Sequence, residues 1–441
     1  MHASLDAQRQ TRKSVPCLVL LLGSLVLPVA TRAQQIASEP PPPARVSDNF
    51  QSGSVGKVEF LTPTELRLHV AGQTDAAGRN RQATWYYFRL DGVRGRDVTL
   101  HLTDLVGEYN FRPGACAMNP DTVPVLSEDN VHWQHFPQMA WDDARKEATL
   151  QLHASGDTVW VAHVPPYPLS RLEQLLNELK QKPEVKIEDI GQSVHGRPLN
   201  LVTITNPRVA GAGKHGVWLI ARQHAWESGT SFVMEGVLRF LVSDDAEAKE
   251  LRDRVVFHLV PTMDPDGLVE GHVRFNSLGN DVNRHWPEVD LSQPKSRERM
   301  PEIWAVKRAL FSRLDAGERV DVLLNLHNTE TNEYMDTQVE DPRVLALFRA
   351  FARALAKSTT FDPSTALAVS KAPSDTTNSL WVERGVPALL LEQRIGTSPK
   401  LGRRPVVADR LAFGRGLIIE LGHLALEQEA PGQPASPSPD R

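Results

Sequence analysis

Three His-x-x-Glu pairs stand in this chain: His224–Glu227 in "HAWE", His285–Glu288 in "HWPE" and His327–Glu330 in "HNTE". Two imidazoles and one carboxylate around a divalent cation, with the fourth position open, make a hydrolytic zinc site. The chain has 15 histidines and 54 acidic residues, so chance alone supplies such a pair, and spacing does not choose among the three. Position does more. His224 follows the apolar run "VWLIA", His327 follows "DVLLNL" directly, and Glu392 closes "ALLL". Ligands of open α/β sheets collect outside the carboxyl ends of the strands. Two histidines and their glutamates therefore meet Glu392 at one sheet edge, whereas His285 lies in a proline-bearing loop and reads as coincidence. The residue types leave open whether Glu227 or Glu330 is the third ligand.

Hydrolysis needs more than a cation. A carboxylate that is not a ligand must take a proton from water and pass it to the leaving group. Glu392, behind three leucines, is placed where desolvation raises its pKa toward that task. The loop "GHVRFNSLGNDVNRHW" brings Arg274, Asn283 and Arg284 close together in sequence. Arginine offers a planar fork that fits a carboxylate at two points, and asparagine adds a neutral donor.

The elements that must position these residues fall into two blocks. Residues 49–168 alternate with period two, as in Val98, Leu100 and Leu102, or Val159 and Val161, between Gly, Pro, Asn and Asp breaks. That pattern predicts an antiparallel β-sandwich. From residue 169 to 427 short apolar runs alternate with helical stretches such as "LSRLEQLLNELK" and "RVLALFRAFARALAK", which predicts an α/β domain around a buried sheet.

The outer segments read differently. Residues 1–33 carry a basic start, an apolar core and a small-residue end at Ala33, the form of a signal peptide. The apolar run is shorter than the ~20 residues of a spanning helix, so no stable membrane span is expected after cleavage. Residues 34–48 read as a proline-rich linker and 428–441 as a disordered tail. Losing residues 1–33 removes four basic residues and one acidic, taking the formal charge from −5 to −8. An acidic exported protein is a poor nucleic-acid binder. Cys116 is then the sole cysteine, which excludes an intrachain disulfide.

Taken in order, these motifs resemble the zinc carboxypeptidases of the M14 family, and within it the cytosolic-carboxypeptidase-like branch. "WYYFRL", "FRPG", "WQHFPQ" and "VAHVPPYPLSRLEQLL" are similar to that branch's amino-terminal β domain; "IGQSVHGRPLNLVTI", "ARQHAWES", "MDPDGLVEGHVRFNSLGNDVNRHW", "LNLHN" and "LLLE" follow in the family's order. The resemblance implies an α/β fold: a mixed eight-stranded carboxypeptidase sheet flanked by helices, preceded by the smaller sandwich. It implies one zinc held by His224, Glu227 and His327, with Glu330 set aside. Glu392 would be the catalytic base and proton shuttle. Arg274 would steady the developing oxyanion, and Asn283 and Arg284 would grip a free C-terminal carboxylate. The implied protein is an exported, periplasmic or extracellular, metallocarboxypeptidase acting on peptides. A same-fold amidase or deacylase, or a peptidase of γ-glutamyl–diaminopimelate bonds in cell wall, would use the same parts; a non-catalytic binding protein would lack one of them.

The chain departs from the branch in three places. Ala225-Trp226 stands where Pro-Gly is usual. Asn325 replaces an acidic residue that would orient His327 from behind. The tyrosine many relatives carry on a loop before the base is not visible in "SKAPSDTTNSLW", where Lys371 is the candidate reader of acidic substrate ends.

Overall fold

The structure is a computed structural model that describes residues 42–428 except 110, 117, 212, 364–366 and 371–374. The leader 1–33, most of the linker, Lys371 and residues 429–441 lie outside the described residues.

The period-two segments form two five-stranded sheets. Leu66, Leu68, Leu100 and Leu150 from one sheet and Phe88, Leu90, Val159 and Val161 from the other share one core, as in a sandwich. The pairing is antiparallel except where Glu65–His69 runs parallel to Asp97–Thr103. Arg45–Ser47 pairs with Tyr87–Asp91, so the sheet begins inside the span 34–48 expected as linker; three residues behind a proline run give no periodic signal. A hairpin, Val106–Tyr109 with Arg112–Cys116, stands apart from both sheets.

The "WYYF" run shows how the sandwich meets the second block. Successive strand side chains point to opposite faces. Tyr86 and Phe88 therefore enter the sandwich core. Trp85 and Tyr87 face the other way, into a cluster with Trp226, Val273 and Ile395.

The second block is built on an eight-stranded mixed sheet. Its centre is parallel: Val255–Val260, His215–Ala221, Val322–Thr329 and Ala388–Arg394 lie side by side. Antiparallel strands Val185–Gln192 and Pro198–Ile204 extend one side, and Tyr334–Thr337 begins the other. The central strands are buried on both faces. Val217, Leu219 and Ala221 pack under the helices Ser228–Leu241 and Val407–Leu426, while Trp218 and Ile220 pack under Pro301–Asp315. Those first two helices touch closely. A Cβ on Gly236 would lie 2.2 Å from the Leu411 carbonyl oxygen, so glycine is what lets the backbones meet. No helix among the described residues is long and apolar enough to cross a membrane.

Strand Val255–Val260 flanks His215–Ala221 on one side and Val322–Thr329 flanks it on the other. This is a topological switch point, where a crevice opens at the carboxyl ends of the strands.

Candidate active site

The chain leaves strand His215–Ala221 through Arg222, which has φ 55°. A side chain in left-handed conformation costs energy that the surroundings must offset. Here the buried guanidinium does so by donating to Ser231 Oγ at 3.0 Å and to the Ala225 carbonyl. The resulting tight turn delivers His224 and then Glu227, the N-cap of helix Ser228–Leu241. His327 and Glu392 arrive from neighbouring parallel strands and are register partners. Both lie inside their strands rather than beyond them, because Val322–Thr329 and Ala388–Arg394 pair further than their apolar runs suggest.

His224, Glu227 and His327 are brought together and buried, with one ligand atom from each lying within 4.8 Å of the others. Glu227 Oε1 is 2.7 Å from His224 Nδ1, and Oε2 is 3.0 Å from His327 Nδ1. The outer ring nitrogens are engaged elsewhere. His224 Nε2 meets Asp281 Oδ1 at 3.1 Å, and His327 Nε2 meets Gln223 Oε1 at 3.0 Å. The Gln223 amide is oriented by its NH2, which donates to the Val282 carbonyl at 3.0 Å. Its oxygen must then accept, so His327 carries its proton on Nε2. The Asp281 carboxylate sets the same tautomer for His224. Two Nδ1 lone pairs and a carboxylate thus face one another. Glu227 Oε2 and His327 Nδ1 have no hydrogen-bond partner although both are buried. Burial alone would raise the Glu227 carboxyl, yet positive charge on its side of the site, as on a protonated imidazole, holds it below its ordinary range. Such orphaned acceptors are costly unless a cation completes them, and two imidazoles with a carboxylate suit zinc.

Asn325, expected to orient His327, makes no hydrogen bond to it. Asn325 Nδ2 donates to Gln223 Oε1 at 2.7 Å, and Gln223 makes the contact to the imidazole. A carboxamide chain thus replaces a single carboxylate.

The other expected residues surround this group. Glu392 faces the same cavity of about 320 Å³ as Glu227, Arg274, Glu330 and Tyr334. Burial, then the Glu227 and Glu330 carboxylates, push the Glu392 carboxyl well above its ordinary range. Glu330 is not among the grouped ligands, and burial raises its carboxyl to about 7. Arg274 Nε donates to Asp281 Oδ2 at 2.6 Å. Asn283 Oδ1 accepts from Thr376 Oγ1 at 2.8 Å and from Asn325 Nδ2 at 3.4 Å. Arg284 opens into an adjoining cavity that shares Arg274 and Tyr109 with the first. His285 and Glu288 pair with each other and line that adjoining cavity, apart from the grouped ligands. A second acidic cluster, His195, Asp266 and Glu270, already encloses a cation, because Arg197 Nη1 lies 2.6 Å from Asp266 and 2.9 Å from Glu270.

Sequence reasoning missed Asp281, Gln223 and the two tyrosines of the cavity. Asp281 stands two residues before Asn283, but only folding places it behind both His224 and Arg274. Tyr109 comes from the β domain and Tyr334 from the strand beside Glu392.

Residues 172–369 match the family model for zinc carboxypeptidases, and residues 46–164 match that for the cytosolic carboxypeptidase N-terminal domain. The chain belongs to the zinc carboxypeptidase family. Among curated relatives of this carboxypeptidase-family chain, an uncharacterized protein of Zymomonas mobilis is 30% identical over 248 residues, covering 56% of this chain and 58% of its own length. Mouse cytosolic carboxypeptidase 6 is 30% identical over 251 residues, covering 54% and 45%. The chain therefore spans less than two thirds of the curated relatives it matches. A solved metallo-carboxypeptidase from Burkholderia cenocepacia superposes with a TM-score of 0.75 at 27% identity, over 87% of this chain and 98% of that one. Zinc is the metal the family implies, and the buried His224, Glu227 and His327 donors fit it.

Proposed function

We propose that the protein is a zinc-dependent metallocarboxypeptidase that hydrolyses the last amide bond of a peptide with a free C-terminal carboxylate. The observation that carries this reading is the convergence of His224, Glu227 and His327, with Glu227 lining the same cavity as Glu392, which has a buried, unpartnered oxygen. When bound, zinc supplies a Lewis acid that polarises the scissile carbonyl and makes water acidic enough to lose a proton near neutral pH. Glu392 takes that proton as the water oxygen bonds to the carbonyl carbon. It returns the proton to the amide nitrogen as the carbon–nitrogen bond breaks, so the products are a shortened carboxylate and a free amino acid. Arg274 stabilises the charge that gathers on the carbonyl oxygen.

Asn283 and Arg284 bind the terminal carboxylate. An internal bond offers no carboxylate there, and a donor fork left unpaired disfavours it. This selects ends rather than interiors. Export is part of the proposal and rests on the leader-like residues 1–33; cell fractionation with amino-terminal sequencing tests it, the mature chain beginning at Gln34. The activity is tested by incubating the zinc-loaded protein with peptides bearing free or amidated C-termini and with cell-wall muropeptides, reading products by mass spectrometry. Loss of single C-terminal residues from free-ended peptides, abolished by a chelator, is the expected result. Turnover of amidated ends at the same rate, or of wall fragments alone, contradicts it.

A further inference from the structure

The family reading gives the β domain no task, yet the segment that carries Arg274 is held from that domain. Gln73 Oε1 accepts from three successive backbone N–H groups, those of Val273 at 3.0 Å, Arg274 at 2.8 Å and Phe275 at 2.9 Å. Gln73 Nε2 returns a bond of 2.7 Å to the Phe275 carbonyl. One side chain thereby satisfies four backbone groups of three consecutive residues. A run of N–H groups aimed at one point is a concavity that ordinarily holds an anion; here a side chain from two hundred residues earlier fills it. A backbone bond from Ala76 N–H to the Gly279 carbonyl, 3.0 Å, docks the same β-domain loop a few residues further along.

The side chain of Arg274 is held as well. Its Nε is taken by Asp281, and the Tyr109 ring lies 5.2 Å from the guanidinium carbon. With Nε engaged and one face covered, the outer nitrogens are the donors left for the cavity that Arg274 and Glu392 share. Arg274 thus approaches the substrate with its backbone, its inner nitrogen and its ring-facing side all constrained.

We infer that Gln73 is a positioning residue for Arg274, so that the β domain sets the geometry of the oxyanion side of the site. The inference rests on the carboxypeptidase reading. A guanidinium that acts on charge present only in the transition state affects kcat rather than KM, and a misplacement near 1 Å costs up to ~100-fold. In the zinc-loaded full chain, Gln73→Leu lowers kcat at least ~10-fold by that reasoning. KM stays within about two-fold and zinc stoichiometry is unchanged, because uniform binding is not what is lost. Combined with Arg274→Ala it adds nothing further, since the two act through one group. Gln73→Ser, which lets water reach the N–H groups but releases the anchor, gives the same kcat loss and serves if the leucine variant does not fold.

Hydrogen exchange at the Val273, Arg274 and Phe275 amides reads the anchor without any activity. They are protected in the wild type and exchange faster in either variant. A variant that folds with wild-type kcat, losses that add in the double variant, or unprotected amides in the wild type each overturn the inference. A wild-type protein with protected amides and no peptidase activity sinks the functional reading instead.

Discussion

Gln223→Leu tests how this site holds its metal. Gln223 is fully buried and has four hydrogen-bond partners, accepting from His327 Nε2 and Asn325 Nδ2 and donating to the Val282 carbonyl and Thr376 Oγ1. Leucine removes all four at similar volume. Val282 O keeps the Trp286 indole N–H at 2.9 Å, and Thr376 keeps Asn283. Two donors are orphaned, on His327 and on Asn325, at ~1–3 kcal/mol each. The metal-free protein should therefore lose roughly 2–6 kcal/mol of stability by that sum. Zinc affinity should fall separately by ~10–100-fold, because the imidazole loses the partner that orients it. Denaturant melts of metal-free protein and competition with a chromophoric chelator measure the two losses. Asn325→Ala should weaken zinc less, because Asn325 reaches His327 only through Gln223. Zinc affinity unchanged in Gln223→Leu, or a larger loss in Asn325→Ala, would refute the tautomer argument.

Three further outcomes follow. Glu392→Gln retains about one zinc per chain and loses at least ~100-fold in kcat, because the proton carrier is gone; metal analysis and peptide assays check both. Arg284→Leu lowers kcat/KM for free-ended peptides by about 10–100-fold, the value of a lost charged hydrogen bond, with little effect on amidated ones. Burial pushes the Glu302 carboxyl from 4.5 up to about 7. The folded state then holds that proton more tightly than the unfolded chain. Its contribution is complete below pH 4.5 and is lost as pH rises to about 7. Melts of Glu302→Gln from pH 4.5 to 7 should show a flatter profile, by on the order of 2–3 kcal/mol over the window.

What the sequence revealed was local or periodic. His224 and Glu227 stand on one turn after an apolar strand, and His327 and Glu392 on neighbouring strands, so strand order alone brings them to one edge. Alternation along "WYYF" and "DVTLHL" exposed the sandwich because a half-buried strand has period two. What stayed hidden depends on contacts between distant segments. Asn325 has the right spacing to stand behind His327, yet its amide reaches Gln223, which no linear pattern pairs with either. Asp281 serves His224 and Arg274 at once only after its loop folds back. The missing tyrosine was sought beside the base, whereas Tyr109 enters from the β domain and Tyr334 from the adjacent strand. The first strand, Arg45–Ser47, is too short to show a period and was masked by the prolines before it.

Two Nδ1 lone pairs and the Glu227 carboxylate are arranged to share one cation. Anomalous diffraction at the zinc absorption edge from crystals of the metal-loaded protein tests it directly. A single peak is expected about 2.0–2.2 Å from His224 Nδ1, a Glu227 oxygen and His327 Nδ1. No peak there, or one at His195, Asp266 and Glu270 instead, would contradict it.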